Sequence, residues 1–388
     1  MDFDRIYDRR GTNCFKHDLI SLQNMPEDTL PLWVADMDFP APDCVGEAIR
    51  ALTEPGIYGY GFAGKEHRAA IQGWFDRRFG WQVEDDWLVE TPGVVFALCT
   101  AVKAFTRPGD AVMMTLPVYN HFFEAATDNG RRAVCSHLKQ VDGRWEIDFD
   151  EVERLMDEEK PTLFLLCSPH NPVGRVWTEV ELRRLGRLCF DRGIKVVSDE
   201  IHSDFVYPGH RHIPFLSLGE EFRENAMACT APSKTFNLAG LQCSNLFIPN
   251  EEMRAAFCRE LTAQGAGSVN MFGRAACRAV YEQGDQWLDE LLVYLKGNFE
   301  LLQDFIHREL PMLKVSPLEG TYLAWVDARG LGLDDTGRGA LLREKARVWL
   351  SDGAAYGENG RGFWRVNLAC PRSVLLQALE RLRDAINE

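Results

Sequence analysis

Lys234 stands in the run Thr230-Ala231-Pro232-Ser233-Lys234-Thr235-Phe236-Asn237, 35 positions after Asp199 and 63 after Asn171. Each of the three follows a short apolar run that reads as a buried strand. A neutral amine attacks an aldehyde, a carboxylate holds a proton on a ring nitrogen, and an amide donates to a phenolate oxygen. At the ends of successive strands, the three can hold an aldehyde cofactor with a basic ring nitrogen, and pyridoxal 5′-phosphate (PLP) fits that description. Lys234 must be uncharged to react, and Pro232, Phe236 and Leu238 nearby supply apolar surroundings that favour the free amine. Asp199, directly after Ile194-Lys195-Val196-Val197-Ser198, would favour the protonated ring, which then accepts the electrons of a carbanion. Taken singly, each has a plainer alternative: a solvated lysine, a carboxylate at Asp199 or Glu200 capping a helix, and an Asn-Pro turn at Asn171. The ordered set is what points to the cofactor.

A phosphate and a substrate carboxylate also need sites. Thr91-Pro92-Gly93-Val94-Val95-Phe96 opens a helical pattern with apolar residues at Val94, Val95, Leu98, Val102 and Phe105. Free backbone N–H groups at such a start form a ready anion site. Arg365, inside the aromatic and apolar run Phe363-Trp364-Arg365-Val366-Asn367, is a guanidinium in strand-like surroundings. Its fork suits the α-carboxylate of an amino acid, with a structural ion pair as the alternative. Two other patterns are set aside. Gly59-Tyr60-Gly61-Phe62-Ala63-Gly64 matches GxGxxG, but Glu54-Pro55-Gly56 precedes it where a dinucleotide fold needs a buried strand. Asp199-Glu200-Ile201-His202 with His210-Arg211-His212 contains metal-ligating types without a metal-site spacing, and Pro208-Gly209 puts the HxH in a loop.

The elements that must position these groups are legible as runs. Ala111–Leu116, Thr162–Cys167 and Ile194–Ser198 are apolar without alternation, as strands covered on both faces should be, and Ala226–Thr230 is a weaker instance. Glu179–Arg192 carries Leu182, Leu185, Leu188 and Cys189 at helical spacing. This rhythm predicts an α/β fold with a mostly parallel sheet. From about residue 285 the character changes: a long helix over Trp287–Leu310, a strand near Tyr322–Val326, and helices over Gly339–Trp349 and Ser373–Asn387. The expected division is an N-terminal arm over 1–45 packing with the small domain, a large PLP-binding domain over 46–284, and a small α+β domain over 285–388.

The bulk properties suit a soluble amino-acid enzyme of the cytoplasm. The 388 residues are 46% hydrophobic and 26% charged, enough for a sizeable core. A net charge of −15 argues against a nucleic-acid partner. No apolar stretch approaches a bilayer span, and Met1-Asp2-Phe3-Asp4-Arg5 lacks the features of a secretion signal. Eleven cysteines without a CxxC pair read as reduced, buried thiols.

Four stretches, read together, resemble the aspartate-aminotransferase superfamily (PLP-dependent fold type I) and, within it, the MalY/PatB group of cystathionine β-lyases and related carbon–sulfur lyases. They are Trp33-Val34-Ala35-Asp36-Met37-Asp38-Phe39-Pro40, Asp199-Glu200-Ile201-His202-Ser203-Asp204, Ser233-Lys234-Thr235-Phe236-Asn237-Leu238-Ala239-Gly240 and Gly360-Arg361-Gly362-Phe363-Trp364-Arg365-Val366-Asn367. The resemblance covers essentially the whole chain. It implies that Lys234 bonds covalently to the cofactor aldehyde, Asp199 pairs with the ring nitrogen and Tyr119 stacks on the ring, these three forming the catalytic set. Asn171 would contact the phenolate oxygen and, with Tyr119 and Arg365, the substrate. Gly93, Val94, Val95 and Ser233 would lie at the phosphate, and His202 would stand where many relatives have a tyrosine. Tyr60 would reach the phosphate from the second subunit of a homodimer with shared active sites. Ala231 and Gln242 depart from the wider superfamily, which uses a serine and an arginine on the phosphate there, so Ser233, Thr230 or the helix start must hold more of its charge. The activity implied is β-elimination from cystathionine or another S-substituted cysteine, releasing a thiol, pyruvate and ammonia. An aminotransferase built from the same residues is the alternative, and a regulatory protein on this fold is a third.

Overall fold

The apolar runs form the centre of an eight-stranded sheet in the computed structural model, which describes residues 1–388. Its strands are β1 Leu88–Thr91, β2 Ala111–Leu116, β3 Arg132–Val141, β4 Arg144–Ile147, β5 Leu163–Cys167, β6 Lys195–Asp199, β7 Ala226–Thr230 and β8 Ser244–Phe247. Their spatial order is β1-β8-β7-β6-β5-β2-β3-β4. Neighbours from β7 across to β3 are parallel, β8 is antiparallel to both its neighbours, and β4 returns antiparallel to β3.

The lack of polar alternation has a direct cause. In β5, Phe164 and Leu166 enter one core, while Leu163, Leu165 and Cys167 enter the other. The first core includes Trp74, Phe75 and Phe247, and the second Leu98 and Val102 of the helix Val94–Phe105 together with Phe257. With both faces covered, each position in the strand must be apolar. Ala226–Thr230, weak as a pattern, is a full strand because its small residues lie buried between the same two layers.

The chain goes from β2 outwards to β3 and β4, then crosses back to place β5 on the other side of β2. Ligands bind parallel sheets at the carboxyl ends of strands beside such a reversal. Asn171, Asp199 and Lys234 all come at or just after strand ends on this edge.

A second, antiparallel sheet has the order β9-β10-β12-β11, from β9 Lys314–Val315, β10 Leu323–Asp327, β11 Ser351–Asp352 and β12 Phe363–Asn367. The helices Asp285–Glu309 and Arg372–Asn387 cover it through Leu302, Ile306, Leu375 and Leu379. One expectation is corrected here. Gly339–Trp349 is not a single helix: an α-helix over Asp335–Ala340 passes into a π-helical turn over Leu341–Ala346, and Val348–Trp349 is extended. Val348 and Trp349 pair in parallel with Leu30 and Pro31 from the N-terminal segment. Leu341, Leu342, Ala346 and Val348 are buried in the folded chain, and the distant strand supplies the pairing that ends the helix.

No helix is long and apolar enough to cross a membrane. The GxGxxG stretch Gly59–Gly64 follows the helix Asp43–Thr53 and a turn, and so lacks the preceding strand of a dinucleotide site.

Candidate active site

A cavity of about 810 Å³ opens at the carboxyl ends of β5, β6 and β7. Gly93, Val94, Val95, Tyr119, Asn171, Asp199, His202, Ser233, Lys234 and Arg365 all line it, although the chain separates the first from the last by more than half its length. Tyr60 does not: its side chain is fully exposed on the outside of this chain.

β7 ends at Thr230, and Pro232 starts a single helical turn that carries Lys234. Nζ of Lys234 donates to the carbonyl of Ala35 at 2.6 Å. Burial, then the positive charge of Arg365, lowers its pKa to about 8 against the opposing pull of Asp36 and Asp199. A useful share of neutral amine therefore exists near neutral pH.

Asp199 is the last residue of β6, and one of its oxygens accepts the Ile201 N–H at 3.1 Å. Burial raises its pKa to about 7; the Ile201 hydrogen bond and Lys234 oppose this, and the Glu200 charge adds to it. A carboxyl in this condition gains most from a protonated ring nitrogen, which would restore its charge. Glu200 turns away from the cavity, to the Ser198 hydroxyl at 2.8 Å, His212 Nε2 at 3.1 Å and the Phe215 N–H at 2.9 Å. Those bonds account for the acidic and histidine types nearby, and no group of three or more such side chains is arranged to hold a metal.

Arg365 is buried in β12, and no carboxylate lies within ion-pair distance of it. Its Nη1 donates to Asn171 Oδ1 at 3.0 Å and its Nη2 to the Trp33 carbonyl at 2.8 Å and Ser351 Oγ at 3.3 Å. Nε has no partner, and the guanidinium lies 4.9 Å from the centre of the Tyr356 ring. A buried cation left without an anion on a cavity wall favours an anionic ligand. Because Asn171 accepts through Oδ1, its Nδ2 is available to donate into the cavity. Burial, assisted by Lys234 and Arg365, keeps His202 well below the usual imidazole range and so neutral; its Nδ1 lacks a partner. Burial pushes the Tyr119 phenol up to about 12.

At the other end, the helix Val94–Phe105 begins against the cavity, with open space beside Gly93. Ser233 and Gln242 line the same region, whereas the Thr230 hydroxyl donates to the Asn245 carbonyl at 2.8 Å inside the sheet. Thr230 is therefore withdrawn as a phosphate group. Trp33, Val34 and Ala35 also line the cavity, and the segment Trp33–Phe39 that carries them is strapped by many bonds to its backbone. Ser351 donates to Trp33, Asn367 to Val34 and Asp36, Tyr322 to Ala35, and Asn237 to Met37 and Phe39. Ser351, Tyr356, Tyr322 and Trp349 have no assigned role in the sequence reading. Their only signal is aromatic and polar residues in apolar runs, and the helix expected over 339–349 hides Trp349.

These features sit on a chain that matches the family described as aminotransferase class I and II over residues 27–382. The chain belongs to this family. Within it, the chain is 41% identical over 387 residues to the cystathionine beta-lyase PatB of Bacillus subtilis, covering 100% of each. It superposes on cystalysin from Treponema denticola, a structure containing pyridoxal 5′-phosphate, with a TM-score of 0.97 at 35% identity, over 100% of this chain and 98% of that one. A PLP-bound C–S lyase from Staphylococcus hominis superposes with a TM-score of 0.94 at 33% identity, over 100% and 98%. The α/β fold type I architecture is thus that of the aminotransferase class I and II family.

Proposed function

We propose that the cavity binds pyridoxal 5′-phosphate and that the enzyme eliminates the β-substituent of cystathionine or related S-substituted cysteines, releasing a thiol, pyruvate and ammonia. The observation that carries this reading is the buried, anion-free Arg365 on the same cavity as a lysine of lowered and an aspartate of raised pKa. The sequence and structural similarity to cystathionine β-lyase PatB, cystalysin and a C–S lyase supports it.

Lys234 Nζ would anchor the cofactor, and its amine, when free, is the group placed to take the substrate's Cα proton as general base. When bound, the cofactor supplies an electron sink for the pair that this proton leaves behind. Asp199 would hold the ring-nitrogen proton, Asn171 would donate to the phenolate oxygen, and Tyr119 would lie against the ring. Arg365 grips the substrate α-carboxylate and so fixes the Cα–H toward Lys234. The first N–H groups of the helix at Val94, with Ser233 and Gln242, would hold the phosphate. His202, being neutral, adds no charge beside the ring. Residues 46–284 then serve as the cofactor domain and 285–388 as the smaller domain, with 1–45 as an arm. The enzyme works in the cytoplasm as a homodimer in which Tyr60 of each copy completes the other's phosphate site.

Transamination by the same groups is the competing reading, favoured by the family's name. Cystathionine given to the PLP-loaded enzyme without a keto acid separates the two. Sustained pyruvate release over many turnovers is expected; no pyruvate, with a single equivalent of the 2-oxo acid of cystathionine and then a halt, would assign transamination instead. Lys234→Ala is expected to abolish both turnover and borohydride-fixed labelling of the chain by PLP.

A further inference from the structure

The mouth of the cavity carries two charges that the reaction above leaves unused. Arg343 comes from the π-helical turn Leu341–Ala346, a widened geometry that recurs at functional sites, and lines the cavity between a buried Leu342 and an exposed Glu344. Asp352 ends β11; its Oδ1 accepts the Ala354 N–H at 3.0 Å, which leaves Oδ2 without a partner in the chain. Neither side chain forms an ion pair with any group of the protein, and they do not pair with each other. Ser351, next to Asp352, stands opposite Arg365 in the sheet and accepts from its Nη2 at 3.3 Å. Trp33 and Trp349, stacked at 4.3 Å and 10°, also line the cavity.

The cavity is therefore graded in chemistry. It offers a guanidinium for one carboxylate at Arg365, an aromatic wall, and a separated positive and negative charge at the rim. We propose that Arg343 and Asp352 are specificity residues that select thioethers whose leaving arm ends in a second amino-acid group. Arg343 takes the distal carboxylate and Asp352 the distal ammonium, while the Trp33–Trp349 wall accommodates the thioether chain. This assignment rests on the lyase reading and deepens it, since a short neutral arm would leave both rim charges to water.

The test compares cystathionine with S-methylcysteine, which gives the same pyruvate but has no distal charge, in the PLP-loaded wild type and in Arg343→Gln, Asp352→Asn and Arg343→Lys. In Arg343→Gln and Asp352→Asn, the ratio of kcat/KM for cystathionine to that for S-methylcysteine is expected to fall roughly three- to five-fold, as for loss of one charge-assisted contact near solvent. The fall should lie in KM, and Arg343→Lys should recover part of it. An unchanged ratio in both variants, or a fall confined to kcat, overturns the assignment. If the wild type releases pyruvate from neither thioether, the lyase reading fails and takes the assignment with it.

Discussion

Asp199 and Lys234 illustrate how burial prepares a site for a ligand at a cost to the empty protein. Between pH 3.8 and about 7 the folded Asp199 keeps a proton that the unfolded chain releases. The unfolded state then binds fewer protons, so the stability of the cofactor-free protein falls as pH rises through that window. The shift amounts to ~4 kcal/mol when complete, by the usual conversion of pKa into free energy. Asp199→Asn can keep the Ile201 N–H bond while removing the titration. The cofactor-free variant should therefore melt higher than wild type above pH 7, with the gain vanishing towards pH 4, even though kcat drops by about 10²-fold or more. Thermal melts at several pH values check this; a variant no more stable than wild type at pH 7.5 contradicts it. Lys234 has the opposite sign. Its pKa is lowered, so its penalty is present below about 8 and disappears as pH rises toward 10.5.

Among the elements, the strap Trp33–Phe39 depends on partners far away in the chain. Asn237 receives the Met37 N–H at 3.0 Å and donates to the Met37 and Phe39 carbonyls at 3.0 and 2.9 Å. It also occupies the left-handed region at φ 58°, which asparagine tolerates better than alanine. Asn237→Ala should cost about 2–4 kcal/mol, from three lost backbone bonds and the conformational strain. Urea unfolding of the cofactor-free protein measures it, and a loss below about 1 kcal/mol would show that the strap is held by its other bonds. Activity should fall as well, because Ala35 in the same strap accepts from Lys234. The strands around the site were legible because burial on both faces demands unbroken apolar runs. The π-helical turn and the strand Val348–Trp349 were not, since their conformation answers to Leu30–Pro31, more than 300 residues earlier.

For the whole molecule, the segment after the helix Asp43–Thr53 exposes Ile57, Tyr58, Tyr60 and Phe62, at 74, 62, 107 and 84%. Four large apolar or aromatic side chains exposed within six residues call for a covering surface. The homodimer proposed above supplies one and brings Tyr60 to the partner's phosphate. Sedimentation should give the mass of two chains. The double change Ile57→Asp and Phe62→Asp should shift it toward one chain and weaken PLP retention, measured by cofactor absorbance after dialysis. A dimer that persists with full cofactor retention would place the contact elsewhere.

By itself the sequence determined the parallel sheet, the strand-end order of Asn171, Asp199 and Lys234, and the helix start at Gly93, because periodicity and turn chemistry are local. It also marked Arg365 as a guanidinium in an apolar strand. Only the tertiary structure decided that no carboxylate neutralises Arg365, that Thr230 turns into the sheet, and that Arg343 and Asp352 stand on the rim of the same cavity. Whether a charge is paired, and which way a side chain faces, depends on what distant segments bring beside it. Spacing along the chain carries no such information.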